Sequence, residues 1–541
     1  MTLISRRTAV AAGGSVVAGM LCASPAAALV REAGRPGTGV PDGLLSVARG
    51  YTAQALGTTA TGTGGLACLA ASGGGALLAA SHGSAAVASA EELAAHLSGP
   101  AVSFVTVPPP GGGSPVVDAA GAGVARATPA VFSGPLRDED PRVGAVAAPA
   151  GTLDNGALAA TSWGTLLCAE EGGAANFGSR QAGWRGNEAQ WRYGVQAVGS
   201  ARSAGSAGSA GSADWSALDA RFDVGLDDRL PHRFGWVLEH AVADGGRRGA
   251  PVKRTALGRM RHSGLAVAES RGRAVVYTGD GEHGEYLYKF VSRGAAGEPL
   301  DDGVLHVARL GDDGRGRWLP LTHGRGPLTS SNGWRDQADV LLRTRLAADA
   351  VGATPLPTPG RIAADARRGE LLCVLDARSA PAGCAAVGPA RSRATGAVVA
   401  TPPGNVLRLR EDGGDPAATG FRWSGAWLSG QGLRAEAPVD RPPAAQPAVR
   451  DLQFDARGSL WAVLADDQDG EVGGELLVVD VATGDGERVA SARPEARFTA
   501  AAVAQDGRQV FVAVRSPEDE RGATLLSVHR PDERPVIATA A

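Results

Sequence analysis

The sequence predicts an all-β fold: a single large β-propeller of about six blades with loop and short helical insertions. Two observations carry that expectation. After about residue 145 a unit recurs in which turn residues and a Gly lead into an apolar strand. It reads Glu269-Ser-Arg-Gly-Arg-Ala-Val-Val-Tyr277, Asp302-Gly-Val-Leu-His-Val307 and Asp365-Ala-Arg-Arg-Gly-Glu-Leu-Leu-Cys-Val-Leu375. It returns as Asp455-Ala-Arg-Gly-Ser-Leu-Trp-Ala-Val-Leu464 and Gln505-Asp506-Gly-Arg-Gln-Val-Phe-Val-Ala-Val514. Asp and Gly supply a hairpin turn and the β-branched residues supply the pleat. Radial repetition of small sheets is how propellers protect their edges. The intervals are uneven, so an array of β-sandwiches is the alternative. The second observation is the weakness of helical signal: only Asp336 to Ala350 (DQADVLLRTRLAADA) keeps apolar residues near helical spacing, with Asp336 placed to cap it.

Taken in order, the first 28 residues are an address rather than structure. Arg6-Arg7 precede a weakly apolar Gly/Ala stretch, and Ala26-Ala27-Ala28 offers small residues for cleavage, the pattern of a twin-arginine export signal. Residues 29–541 are read as one propeller domain, exported to the periplasm or beyond. Ser203 to Ala213 (SAGSAGSAGSA) has no core-forming side chain and is read as a dispensable low-complexity insertion. No later stretch holds 18 uncharged apolar residues, so no membrane span is expected. With 53 basic against 56 acidic residues, the chain lacks the excess charge of a phosphate-neutralising nucleic-acid binder, and a monomer is expected. Cys68, Cys168, Cys373 and Cys384 are too scattered for a disulfide framework, and Cys373 with Cys384 either bridge a loop or stay free.

The run Tyr277-Thr-Gly-Asp280-Gly-Glu282-His283-Gly-Glu285-Tyr286-Leu-Tyr288-Lys289-Phe290 puts three acids and a His within six residues, near one of only two lysines after the leader. Such a set suits a hard cation facing an anion; a charged hairpin tip is the plainer alternative. Gly311-Asp-Asp-Gly-Arg-Gly and Asp466-Asp467-Gln-Asp469-Gly470 lack the spacing of a calcium loop and read as solvated turns. Trp163, Trp236, Trp334 and Trp461 read as packing residues.

With four further segments the chain resembles the PhoX-type alkaline phosphatase family of secreted bacterial proteins. These are Trp163-Gly-Thr-Leu-Leu-Cys-Ala-Glu-Glu171 with Asn176-Phe-Gly178, Arg233-Phe-Gly-Trp-Val-Leu-Glu239, Pro251-Val-Lys-Arg-Thr-Ala-Leu-Gly-Arg259, and Asn332-Gly-Trp-Arg-Asp-Gln-Ala-Asp-Val-Leu341 continuing to Pro355. The resemblance implies a propeller, twin-arginine export, and phosphomonoester hydrolysis at a cluster of calcium and iron ions. It also implies metal ligation by Glu170, Glu171, Asp280, Glu282 and Glu285, with Lys289 and Arg335 acting on the phosphate group. Hard cations held by carboxylates neutralise the equatorial oxygens of a transferring phosphoryl group and activate water.

Departures from the family pattern point the other way. The family's Asn-His-Glu appears as Ser81-His82-Gly83, and its Cys-Glu-Glu as Ala169-Glu170-Glu171, with the thiol displaced to Cys168. His-Glu-Gly becomes His262-Ser263-Gly264, and Arg-Pro-Glu-Asp becomes Thr358-Pro359-Gly360-Arg361. Ser-Pro-Asp-Gly becomes Ala448-Val449-Arg450-Asp451, and Cys-Glu-Val-Thr becomes Ala496-Arg497-Phe498-Thr499. An Arg at a ligand position sets a cation where a cation should bind, a repulsion of about 4 kcal/mol per unit charge at about 4 Å. The sequence reading is therefore a divergent family member with weakened or lost hydrolysis, leaving a binding or scaffold propeller that accepts a phosphate ester or phosphate anion. Calcium is the ion such a remnant would retain, iron is not expected, and an active calcium/iron phosphatase is the alternative.

Overall fold

The structure is a computed structural model. It describes residues 44–530 except 60–61, 72–73, 84–86, 110–114, 118–122, 144–150, 173–175, 198–214, 244–245, 377–403, 436–447, 466–472, 505–506 and 517–521, together with the short strand Val30–Arg31. The leader, the Ser203 to Ala213 insertion, Cys384 and Asp466 to Gly470 lie outside the described residues.

Four separate sheets and one ten-stranded sheet that divides into two form six blades, with antiparallel pairing throughout except one parallel outer strand in blade 2. Their innermost strands are Thr63–Ala70, Asn155–Ala160, His262–Ser270, Pro359–Asp365, Ala448–Phe454 and Arg497–Val503. Each is a neighbour of the next, and the last lies beside the first, so the ring closes in chain order. Six apolar clusters occupy the six seams between blades. This is the predicted propeller, and the sandwich alternative falls, because two-layer packing would not return the last inner strand to the first.

Closure depends on the N-terminal part of the chain. Thr52–Thr59 pairs antiparallel with Thr524–His529 and completes blade 6, while Leu45–Val47 pairs with Gly486–Ala492 at the edge of blade 5. Both sheet edges that the ring would otherwise expose are thereby covered. The first hairpin of every blade contains a glycine at positive φ: Gly74, Gly164, Gly272, Gly369, Gly458 and Gly507. Four of the recurring turn units fall at these hairpins, and the Asp302 unit falls two turns later in blade 3. Blade 1, Thr63 to Val117, precedes the region where the pattern is visible, because its strands are built mostly from Ala, Leu and Gly.

The predicted helix exists as two, Gln337–Leu342 and Thr344–Val351, broken at Arg343; Asp336 caps the first by accepting from the Asp339 amide at 2.7 Å. A second insertion, between the second and third strands of blade 2, packs around its own core of Phe177, Trp215 and Phe222 and carries the helix Glu188–Arg192. Trp163 and Trp334 pack at the seam of blades 2 and 3, and Trp461 at the seam of blades 5 and 6. Cys68, Cys168 and Cys373 are buried and form no disulfide among the described residues.

Candidate functional site

On one face of the ring the innermost strands begin where the second strands end. Cross-strand register places Thr63 opposite His82, Asn155 opposite Glu170 and His262 opposite Asp280 there. It does the same for Pro359 and Leu375, Ala448 and Ala465, and Arg497 and Arg515. The strand ends carrying His82, Glu170 and Asp280 and the matching ends of the other three blades therefore open on one channel mouth. Below it, a cavity of about 140 Å³ is lined by residues of all six inner strands, including Arg361 and Asp451.

The acids from the Asp280 run do not stand as free ligands. Arg345, from the helix Thr344–Val351, donates Nε to Asp280 Oδ2 at 2.7 Å, Nη2 to Asp280 Oδ1 at 2.5 Å and Nη1 to Glu282 Oε2 at 2.8 Å. Arg192, from the blade 2 insertion, grips Glu285 with both terminal nitrogens and also bonds Asp349 through Nε at 2.8 Å. Tyr286 donates its hydroxyl to Asp349 at 2.6 Å. The Arg345 guanidinium lies 5.1 Å from the centre of the Tyr193 ring. Burial raises the pKa of Asp280 and of Glu285, although Arg345 pulls both down. Burial also works against the Glu282 carboxylate, but Arg345, Arg261 and Arg192 outweigh it and hold its pKa below the usual range.

Glu170 is fully buried and equally committed. Lys253 Nζ donates to it at 2.9 Å, and the amides of Trp236 and Leu153 donate at 2.9 and 3.3 Å. The Lys253 ammonium sits 4.6 Å over the Phe234 ring and also bonds the Arg233 carbonyl, while burial lowers its pKa. Glu171 turns toward the mouth and meets Arg361 Nη1 at 3.1 Å. The Glu171 side chain lies over Gly156, where a Cβ would stand 2.1 Å from Glu171 Oε1 and oblige that side chain to move.

Arg361 is the link across the mouth. Rooted in blade 4, it reaches Glu171 of blade 2, donates Nη1 to the Ser263 carbonyl of blade 3 at 3.1 Å, and donates Nη2 to the Gly64 carbonyl of blade 1. Burial raises the pKa of Asp451, although the charge of Arg361 pulls it down. Asp154, beside Glu171, is pushed up to about 6 by burial, against the pull of Arg126 and Arg261. Ser263 Oγ donates to the Pro359 carbonyl at 2.8 Å. The altered positions 263, 360 and 361 thus converge with Glu171 and the end of the Asp280 strand.

Two expected residues are placed elsewhere, which corrects the sequence reading. Lys289 does not face the mouth: it is buried in the seam of blades 3 and 4, bonding Glu411 at 3.0 Å and the Pro416 carbonyl at 3.0 Å, 4.6 Å over the Trp318 ring. Its alternation within the strand Leu287–Ala295 turns it to that seam. Arg335 is exposed ahead of the helix pair, its amide donating to Asp339 at 3.0 Å; its charge contributes to lowering the pKa of Asp140 rather than of any mouth acid. His82 and His262 are also structural. His82 Nε2 bonds Ser103 Oγ at 2.8 Å, and His262 bonds Thr278 and the Gly258 carbonyl. Sequence reasoning missed the roles of Arg345, Arg192 and Lys253; the one available signal was that Lys253 is one of only two lysines after the leader.

The donor set does not fit an ion cluster as arranged. Both oxygens of Asp280 are engaged by Arg345, and Glu170 has three donors on its carboxylate. Burial pushes the Cys168 thiol up to about 12, and Asn155 Nδ2 donates to its sulfur at 3.3 Å. Among the described residues no group of three or more His, Cys, Asp or Glu side chains converges to hold a metal ion.

Fold and site together define a six-bladed propeller with a charged, internally paired channel mouth. The chain belongs to the alkaline phosphatase PhoX family, whose model matches residues 83–518, and the family is metal-dependent. It is similar to the solved structure of Pseudomonas fluorescens PhoX in complex with vanadate, a transition-state analogue. That likeness has 27% identity, covers 92% of this chain and 98% of the other, and has a TM-score of 0.74. A carbohydrate-active enzyme of family AA12 from Trichoderma reesei is 10% identical with a TM-score of 0.35, covering 92% of this chain and 100% of that one, and carries no argument. No curated protein matches the chain. Among the described residues no helix is long and apolar enough to cross a membrane.

Proposed function

We propose that this protein is an exported PhoX-family propeller whose metal-dependent phosphomonoester hydrolysis is weakened or lost, leaving a mouth that binds rather than turns over a phosphate-bearing ligand. One observation carries the reading: each of Glu170, Glu171, Asp280, Glu282 and Glu285 already has a Lys or Arg partner within ion-pair distance. A guanidinium satisfies a carboxylate with two directed bonds, so a cation would have to displace it and leave a buried charge unpaired. Arg361 strengthens the point by bridging three other blades across the opening. Calcium, with its tolerance of irregular oxygen ligands, is the ion that a residual site would take, and iron is not expected.

The reading is tested by elemental analysis of the purified chain together with a chromogenic phosphate ester assay at alkaline pH. At most one calcium per chain and turnover near background are expected. Several bound ions including iron, with turnover far above background, would establish the active-phosphatase alternative, which the 27% identity to the vanadate-bound structure favours. Export through the twin-arginine route rests on Arg6-Arg7, and replacing both with Lys should abolish it.

A further inference from the structure

The outer strands of blades 3 and 4 join edge to edge, so that Gly303–Leu310, Arg315–Pro320, Gly420–Ser429 and Val406–Glu411 form one continuous surface. Register sets Arg309 opposite Arg317, Arg315 opposite Arg422, and Arg422 opposite Arg410. Residues directly opposite share a face, and alternate residues along a strand share it too. The five arginines therefore form one row across four strands, on the side away from Trp318 and Phe421, which pack inward at the seam. All five are exposed, and none makes an ion pair with a described acid. Beside the row runs a groove of about 540 Å³ lined by Arg309, Arg315 and Arg317. Its two acids are Asp313 and Asp412, and the Asp313 carboxylate already accepts from the Arg315 amide at 3.1 Å.

Like charges directly opposite on a sheet are destabilising, and acids on the alternate strand positions would have relieved them. We propose that this row is a binding surface for a linear polyphosphate chain, independent of the channel mouth. A guanidinium fork matches phosphate oxygens, and adjacent strands lie about 4.8 Å apart, so successive side chains present charges to successive units of a polymer. A single phosphate would engage one or two of them. The neighbours on the same face are Val307, Leu319, Ser424, Arg408 and Glu370, the last two paired with each other. None is aromatic, and Phe421 in the groove wall is buried, so no exposed ring is offered for base stacking, which favours a bare phosphate chain over nucleic acid. With a formal net charge of only −3 the chain has no global positive field, so the attraction is local to this row.

The test is binding of fluorescently labelled inorganic polyphosphate to the mature chain at low and at physiological salt. The triple variant Arg309→Gln/Arg317→Gln/Arg422→Gln should weaken binding by about tenfold or more and flatten its salt dependence. A control on blade 5, Arg457→Gln/Arg488→Gln/Arg493→Gln, should change it by less than about twofold. The melting temperature of the first variant should hold or rise, since like-charge pairs are removed, and Arg317→Gln alone should show a smaller loss of the same sign. Three results would overturn the proposal: no binding by the unaltered chain at low salt, equal losses in the two triple variants, or tighter binding of single-stranded DNA of equal charge.

Discussion

Arg345→Met gives the sharpest test of how the mouth is held together. The guanidinium is fully buried and is shared by Asp280, Glu282 and Glu285, with Arg192 serving Glu285 and Asp349 from the other side. Four carboxylates are thus balanced by Arg345 and Arg192, with Arg261 acting on Glu282. Removing one partner of a buried pair costs about 3–5 kcal/mol, because the remaining charge stays desolvated. A Coulomb energy of about 4 kcal/mol at about 4 Å and an effective dielectric near 20 gives the same order. Arg345→Met should therefore lower stability by about 3–5 kcal/mol in urea unfolding near neutral pH, and Arg345→Lys by less.

The variant also exposes what the acids can do without their guanidinium. Asp280, Glu282 and Glu285 would become an oxygen-rich cluster, and calcium at about 100 times its dissociation constant would return about 2.7 kcal/mol. Calcium should accordingly stabilise Arg345→Met and leave the unaltered chain nearly unchanged. The reasoning is refuted if the unaltered chain gains as much from calcium as the variant does, or if the variant loses less than about 1 kcal/mol.

Lys253→Met should cost about 3–5 kcal/mol, and adding Glu170→Leu should restore only part of it, since the Trp236 and Leu153 amides would lose their acceptor; a double-mutant cycle reads the coupling. His262 is fully buried and burial lowers its pKa from 6.5 to about 4, so its neutral form contributes stability above pH 6.5 that is lost as pH falls through that window, about 3 kcal/mol in all. His262→Gln should flatten this part of the pH–stability profile, and an unchanged slope would assign it to other groups. Deleting residues 44–59 removes the strand that closes blade 6, and the truncated chain should aggregate through the bared edge of Thr524–His529 rather than stay monomeric in sedimentation.

Most of the fold was legible because its signals are local. A left-handed glycine in a hairpin is visible within five residues of sequence, and the turns at Gly272, Gly369, Gly458 and Gly507 all announced blades. Blade 1 was not legible: Ala76–His82 is buried at every position and shows no alternation, so nothing marks it as a strand rather than a loop. The break at Arg343 escaped for a similar reason, since the apolar spacing continues straight through it.

The candidate site was legible in place but not in character. Glu170 and Asp280 were picked from the sequence, and each falls at a strand end on the same face, as the strand that carries Arg361 also does. What a run of acids cannot reveal is its counter-charge. A metal cluster and a salt-bridge cluster demand the same carboxylates at the same positions, and differ only in what meets them. Here the partner of Asp280 arrives from 65 residues further on, and that of Glu285 from 93 residues earlier, each on a helix inserted between propeller strands. Arg361 differs because it stands in the sequence segment already compared with the family; its guanidinium supplies Glu171 with a partner from across the mouth. An arginine that bridges four blades holds the mouth as a metal ion would, by drawing carboxylate and carbonyl oxygens together, but it cannot activate water. On the proposed reading, a guanidinium in place of a cation would keep the ring rigid while removing the means to activate water.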